Sequence, residues 1–318
     1  MEKTEQNAIR KLEIKNLKKA TSSALVMDDI NLTVHEGEIF ALVGSPESCK
    51  TLISKIVVNL VKKSGGEILV DGTTHSKHNR NARKIGASIQ QQNFYPSQTA
   101  YKTLVQHAQL NKYPVNHAKV TNTLNLVDLK KTMHNTLNRL NLSSLSRLKI
   151  AVALYEQPEI LVLDEPFKNL TPDEAHKIRT IIKTIADTKK SAVFITAANI
   201  TDVEQICDTV GIIDDGLMVT VKSYNQFIRD DAPYETVRVM TQVPNYTAKV
   251  IEEDMNCATH LCGEWVVIDT KPMNAQAVAD TLARHDIKLL SIQRVNRSLQ
   301  EMYYEIMSAR RKRVTGAP

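Results

Sequence analysis

Apolar residues recur along the chain in three rhythms, and each predicts a different element. Strict alternation over Leu12-Glu-Ile-Lys-Asn-Leu17 reads as a strand with one face buried. Leu25–Val34 and Glu38–Val43 read as further strands, joined by a turn at Glu36-Gly37. Unbroken runs form the second rhythm: Phe40-Ala-Leu-Val43 and Ile160-Leu-Val-Leu163 suit strands covered on both faces, as in a parallel sheet. Helical spacing is the third. It links Leu52, Ile53, Ile56, Val57 and Leu60, then Leu104, His107 and Ala108, then Leu124, Val127 and Leu129. Leu145, Leu148, Val152 and Tyr155 mark one side of a helix that Ser143 or Ser144 is expected to cap. Ser64-Gly-Gly66 predicts a turn into the strand Glu67–Gly72, which ends at an Asp-Gly hairpin signal. Ile85–Gln90 predicts another short strand.

Past Pro233 the pattern changes. Residues 235–240 and Glu264–Thr270 alternate like strands, Met273–His285 has helical spacing, Ile287–Val295 reads as a strand and Ser298–Met307 as a final helix. That mixture predicts a small α+β unit with helices on one sheet face. His260, His285 and Trp265 read there as surface or packing residues. The expected organisation is a disordered 1–10, a main domain over 11–230, an accessory domain over 231–308 and a basic tail over 309–318.

Composition adds limits. At 318 residues, 42% hydrophobic and 24% charged, the chain suits a globular protein of roughly two domains. No apolar run approaches the ~20 residues that a bilayer span needs. The polar opening Met-Glu-Lys-Thr-Glu-Gln-Asn is unlike a signal peptide, so the expectation is cytoplasmic. Cys49, Cys207, Cys257 and Cys262 contain no CxxC pair, which argues against zinc and a disulfide framework. The net charge of +6 owes much to Arg310-Arg-Lys-Arg313, read first as a frayed, solvated end and second as a contact for anionic lipid or nucleic acid.

Two stretches carry candidate chemistry. Pro158-Glu-Ile-Leu-Val-Leu-Asp-Glu-Pro166 ends a buried run in two acids, and Pro166 has no N–H with which to continue a ladder. Asp164 and Glu165 therefore sit at the carboxyl end of an expected central strand, where open α/β sheets bind ligands. A magnesium-ligating Asp beside a water-activating Glu is one reading of such a pair. Upstream, Phe40–Val43 leads into Gly44-Ser-Pro-Glu-Ser-Cys-Lys-Thr51 and then a helix, the context that a phosphate-binding loop requires. Against the strict G-x-x-x-x-G-K-[ST], Cys49 stands where a glycine is expected and adds a Cβ near the phosphate path. Glu47 places a carboxylate in an anion-favouring loop, so it is expected to turn outward.

In register, these motifs resemble the ATP-binding subunits of ABC transporters. Glu36-Gly-Glu-Ile39, Gly65-Gly-Glu-Ile68, the Gln90-ended strand, the Asp-Glu strand and Val203-Glu-Gln-Ile-Cys-Asp208 all read like that family. Phe94-Tyr-Pro-Ser-Gln-Thr-Ala-Tyr101 is similar to bacitracin- and lantibiotic-type efflux ATPases. The resemblance covers about residues 11–228. It implies a P-loop NTPase fold of ABC type, α/β, with an antiparallel β subdomain and a helical subdomain beside the C-terminal α+β domain.

ATP and Mg2+ are the implied ligands. Gly44, Ser45, Ser48, Cys49, Lys50, Thr51 and Leu52 would bind nucleotide, Thr51, Gln90 and Asp164 the metal, and Glu165 with Gln90 would serve hydrolysis. Asn141, Leu142, Ser143 and Ser144 match the signature that faces a partner's nucleotide across a dimer. Departures are Ala20 where an aromatic stacks on adenine, Cys49, Asn141 and Ser143 in the signature, Leu170-Thr171 for Leu-Asp, and Ala198 for the switch histidine. The implied protein is an export subunit with impaired hydrolysis, peripheral on the inner membrane face. It would work with a separate membrane permease and pair as a homodimer or heterodimer. The alternative is a non-hydrolysing partner that scaffolds a competent ATPase. Nucleic acid is not an expected partner, since aromatics are 5% and no recognition motif is present.

Overall fold

A computed structural model describes residues 8–21, 24–76, 84–90, 94–231, 236–269, 275–295 and 299–315. Most of the segment expected to be disordered, residues 1–7, lies outside them, as do Pro233, Glu235, Thr270, Met273 and Ser298 at the bounds of the expected C-terminal elements. The chain divides into two compact units, Met1–Ser223 and Tyr224–Pro318.

In the first unit, β1 (Arg10–Ala20) and β2 (Leu25–His35) pair antiparallel. β3 (Ile39–Val43) then leads through the Gly44–Cys49 loop into α1 (Lys50–Val57). β4 (Gly65–Val70) pairs with β1 and with β5 (Thr73–Thr74), closing a four-stranded antiparallel sheet in the order β2-β1-β4-β5. Asp71 and Gly72, both at positive φ, form the tight turn between β4 and β5 that Asp-Gly predicted. Gly65 and Gly66 already belong to β4 rather than to the expected turn before it. At φ +79°, Gly66 admits no side chain, since a Cβ would stand 2.2 Å from the Asn16 carbonyl oxygen.

β6 (Ile85–Ser88) ends two residues before Gln90, which lies beyond the strand instead of closing it. A helical section follows, with α2 (Ala100–Leu110), α3 (His117–Leu126) and α4 (Leu142–Leu154). The cap of α4 is neither expected serine. Asn141 takes the extended conformation, and its side-chain oxygen accepts from the Ser144 N–H at 2.9 Å. β7 (Ile160–Asp164), α5 (Pro172–Lys189), β8 (Ala192–Ala197), β9 (Thr209–Asp214) and β10 (Leu217–Ser223) complete the unit.

The larger sheet runs β10-β9-β3-β8-β7-β6. Its five strands from β9 to β6 are parallel, and β10 adds an antiparallel edge. β3 and β8 occupy the middle, so β7 is not central; it lies next to the β6 edge. All five β7 residues are nonetheless buried, which is why its pattern reads as an unbroken apolar run. Parallel register brings the carboxyl ends of β3, β7 and β8 to one side of the sheet, and that shared edge positions the site.

The second unit contains α6 (Tyr224–Asp231), β11 (Thr236–Thr241), α7 (Pro244–Met255), β12 (Ala258–Cys262), β13 (Trp265–Asp269), α8 (Ala275–Arg284), β14 (Leu289–Val295) and α9 (Leu299–Thr315). From β11 to β14 the order is βαββαβ and the antiparallel sheet runs β12-β13-β11-β14, a ferredoxin-like arrangement. Val237 and Val239 face Ile268 and Val266 across the ladder and pack with Val250 and Ile251 of α7 and Val278 and Leu282 of α8. The sequence pattern had not predicted α7 or β12. The final helix runs past Met307 and through the basic segment to Thr315, instead of fraying there. Trp265 is half-buried under the Arg238 guanidinium, 4.9 Å from its ring centroid. His285 bonds Asp254 at 2.8 Å.

Candidate nucleotide site

The loop after β3 is shaped by its first residue. A Cβ on Gly44 would stand 2.3 Å from the Ile213 carbonyl oxygen and 2.5 Å from Ser48 Oγ, so only glycine fits. Ser48 is buried, and its hydroxyl donates to the Ser45 carbonyl at 2.7 Å, closing the loop on itself. Glu47 is exposed, as its charge required. Cys49 has φ 70°, the left-handed conformation that a glycine would take without strain. Its Sγ contacts the Val26 carbonyl at 3.5 Å, and burial, with the Asp215 charge, pushes the thiol pKa up. α1 begins at Lys50 with no acid in its first turn, so its N-terminal amides and dipole face the loop uncompensated.

Lys50 is 1% exposed, and its ammonium donates to the Ser45 carbonyl at 2.9 Å and meets Glu165 Oε1 at 3.0 Å. Thr51 Oγ1 donates to Asp164 Oδ1 at 3.0 Å. Gln90 approaches both acids: its N–H reaches Asp164 Oδ2 at 3.4 Å and its Nε2 donates to Glu165 Oε2 at 2.9 Å. Gly44, Lys50, Thr51, Gln90, Asp164 and Glu165, drawn from three separate stretches, thus converge at one sheet edge.

Thr196 completes the cluster, and sequence reasoning missed it. Its hydroxyl donates to Asp164 Oδ1 at 2.6 Å and accepts the Glu165 N–H at 3.1 Å. Only the β7–β8 register, which sets Asp164 opposite Thr196, identifies it. Lys168 was missed as well; its Nζ lies 3.4 Å from Glu165 Oε2. Burial would raise the Glu165 pKa, but the hydrogen bond and charge of Lys50, then those of Lys168, hold the carboxyl below its ordinary value.

The donor set suits a magnesium nucleotide. Thr51 and Asp164 present hard oxygen ligands side by side, with the Gln90 amide adjacent. Lys50 and the start of α1 offer positive charge to phosphate. At the adenine position, exposed Ala20 supplies no ring to stack on a base.

The signature residues stand on α4, away from this cluster in sequence. Asn141 is occupied as a cap, and its Nδ2 reaches Glu174 Oε1 at 3.4 Å. Ser143 is 1% exposed and its hydroxyl is buried without a hydrogen-bond partner, so it presents no donor at the surface. Ser144 is also buried, accepting from Arg147 at 3.1 Å, whereas Leu142 is 58% exposed. Thr171, where the resemblance expects Asp, caps α5 in a reciprocal box with Glu174. Leu52 is half-buried, one turn into α1. Beside the cluster, a cavity of about 700 Å³ runs from Gln90, Asp164 and Glu165 to Phe94, Leu142 and Lys149.

Comparison with known proteins agrees with this geometry. Residues 27–168 match the family model described as ABC transporter. The chain is 27% identical to the Bacillus subtilis ABC transporter ATP-binding protein YhcH over 96% of its own length and 99% of that protein's. It is 29% identical to the lantibiotic transport ATP-binding protein SrtF of Streptococcus pyogenes over 67% of this chain and 91% of that one. Against the bacitracin transport ATP-binding protein BcrA of Enterococcus faecalis, identity is 28% over 70% and 72%. Among solved structures, the dimeric ABC transporter cassette MJ0796 superimposes with TM-score 0.60 at 22% identity, covering 67% of this chain and 98% of that one. The chain therefore carries an ABC transporter domain at residues 27–168, shares the ATP-binding cassette fold over 67% of its length, and is related in sequence to bacitracin and lantibiotic transport ATP-binding proteins.

Proposed function

We propose that this protein is the ATP-binding, energy-coupling subunit of an exporter of drugs or antimicrobial peptides. It works with a separate membrane permease, on the inner face of the membrane, and pairs with a second ATPase subunit or a copy of itself. The observation that carries this reading is the convergence of Lys50, Thr51, Gln90, Asp164 and Glu165 within hydrogen-bonding distance of one another. Among the described residues no helix is long and apolar enough to cross a membrane, so a membrane path would come from the permease. Phe94 and Pro96, on the wall of the 700 Å³ cavity, are the proposed permease contact.

Thr51 and Asp164 would hold the magnesium ion, whose charge stabilises the phosphates. Lys50 exchanges its Glu165 contact for phosphate, which frees that carboxylate to take a proton from water. Gln90 orients the same carboxylate.

Hydrolysis is expected to be impaired. Cys49 adds strain and bulk to the loop, Ala198 offers no ring nitrogen, and the Ser143 hydroxyl is buried. Losing one such donor typically costs ~10²–10³ in rate, so the losses compound. The same features favour, as a second reading, a non-hydrolysing subunit that scaffolds a competent partner. Titration of Mg–ATP into the purified chain, followed by turnover measurement, decides between them. Binding with slow turnover supports the first reading, binding with none supports the second, and transporter-like rates abolished by K50A would remove the claim of impairment.

A further inference from the structure

The turn after β7 gives the site a second cation. Glu165 and Asn169 both lie at positive φ, and the Lys168 N–H bonds back to the Glu165 carbonyl at 3.2 Å. The reversal returns the Lys168 side chain to the carboxylate it follows, 3.4 Å from Oε2, while Lys50 holds Oε1 at 3.0 Å. The two ammonium groups differ in freedom. Lys50 is 1% exposed and tied to the Ser45 carbonyl, whereas the Lys168 side chain is 53% exposed. An exposed, flexible lysine leaves a single carboxylate contact at little cost.

Lys168 also lines a second cavity of about 290 Å³, with Pro46 of the phosphate-binding loop, Glu165, Thr196, Ala198 and Asn199. Among the residues lining it, Lys168 is the sole cation and Glu165 and Asp202 are the anions. Counting side chains in contact around Asp164 and Glu165, Lys50 alone leaves a net negative charge before any phosphate arrives. Lys168 brings the sum to neutrality, and a magnesium triphosphate still carries net negative charge, which Lys50 by itself does not match.

We propose that Lys168 is a second phosphate-binding residue, which leaves Glu165 to contact the terminal phosphate of the bound nucleotide. This rests on the reading of the site as a nucleotide site. Because the contact is to the terminal phosphate, it distinguishes a triphosphate from a diphosphate.

The test is calorimetric titration of the full chain with Mg–ATP and Mg–ADP, for the wild type, K168M and K168R, each checked for folding by circular dichroism. K168M is expected to lose about tenfold in ATP affinity, the worth of one charge-assisted contact, and less than about twofold for ADP. K168R, which keeps the charge, is expected to stay within about threefold for both nucleotides. Equal loss for ATP and ADP, no loss for either, or the same loss in K168R as in K168M would overturn the assignment. A wild type that binds neither nucleotide would sink the nucleotide reading itself, and this inference with it. ATP binding that K168M leaves unchanged would sink this inference alone.

Discussion

Cys49 shows how one side chain sets the state of the loop. An L-residue in the left-handed region costs about 1–2 kcal/mol, part of which glycine returns as entropy lost on folding. C49G is therefore expected to stabilise the fold by about 1 kcal/mol, read as a raised urea midpoint at constant slope. It should also tighten Mg–ATP binding, because the Cβ leaves the phosphate path. Glu165 makes a pH prediction. Its folded pKa lies below the ordinary 4.5, so its contribution to stability is present above 4.5 and is lost as pH falls through the folded value. Urea midpoints measured from pH 6 down to pH 3 should fall more steeply for the wild type than for E165Q across the region below 4.5. His75 adds a separate acid limb. Burial lowers its pKa below 6.5 against a weaker opposing pull of the Val57 backbone carbonyl, so its share of stability starts to fall below pH 6.5.

At the scale of elements, caps decide boundaries that hydrophobic spacing leaves open. α4 and α5 each begin where a side chain accepts a backbone N–H, and Glu174 serves both: it closes the Thr171 box and contacts Asn141. Thr171→Ala should cost about 1 kcal/mol by removing the box. Asn141→Ser keeps a capping oxygen and should leave the thermal midpoint nearly unchanged, whereas Asn141→Ala should lower it. Spacing alone put the cap of α4 two or three residues late, because serines are good caps and the two at 143 and 144 drew the assignment. What excluded them is burial of that helix face, which is a tertiary fact. α7 and β12 escaped for a related reason: α7 buries only Thr247, Val250 and Ile251, too few positions to stand out as a period.

Across the whole molecule, each unit has its own core, and the second depends on a few large contributors. Ile251→Ala, at a fully buried position, should cost about 2–5 kcal/mol of that unit's stability, seen as lost hydrogen-exchange protection in β11–β14. Much of the first unit was legible from the chain, because unbroken apolar runs force a doubly covered sheet and the spacing of Gly44 from Lys50 and Thr51 marks a loop-to-helix turn. The chemistry of Lys50, Thr51, Asp164 and Glu165 was legible for the same reason: the residue types and their offsets from strand ends are local properties. The order of strands, which moved β7 off the centre of the sheet, was not, since parallel neighbours are chosen by packing across long crossovers. Thr196 and Lys168 were equally silent. Their roles exist only because register and a left-handed turn bring them to carboxylates whose partners no local spacing encodes. The sequence by itself determined which groups this site has to work with. Tertiary structure decided which of them touch, because contact depends on strand order and turn geometry, and both are settled by the packing of the whole unit.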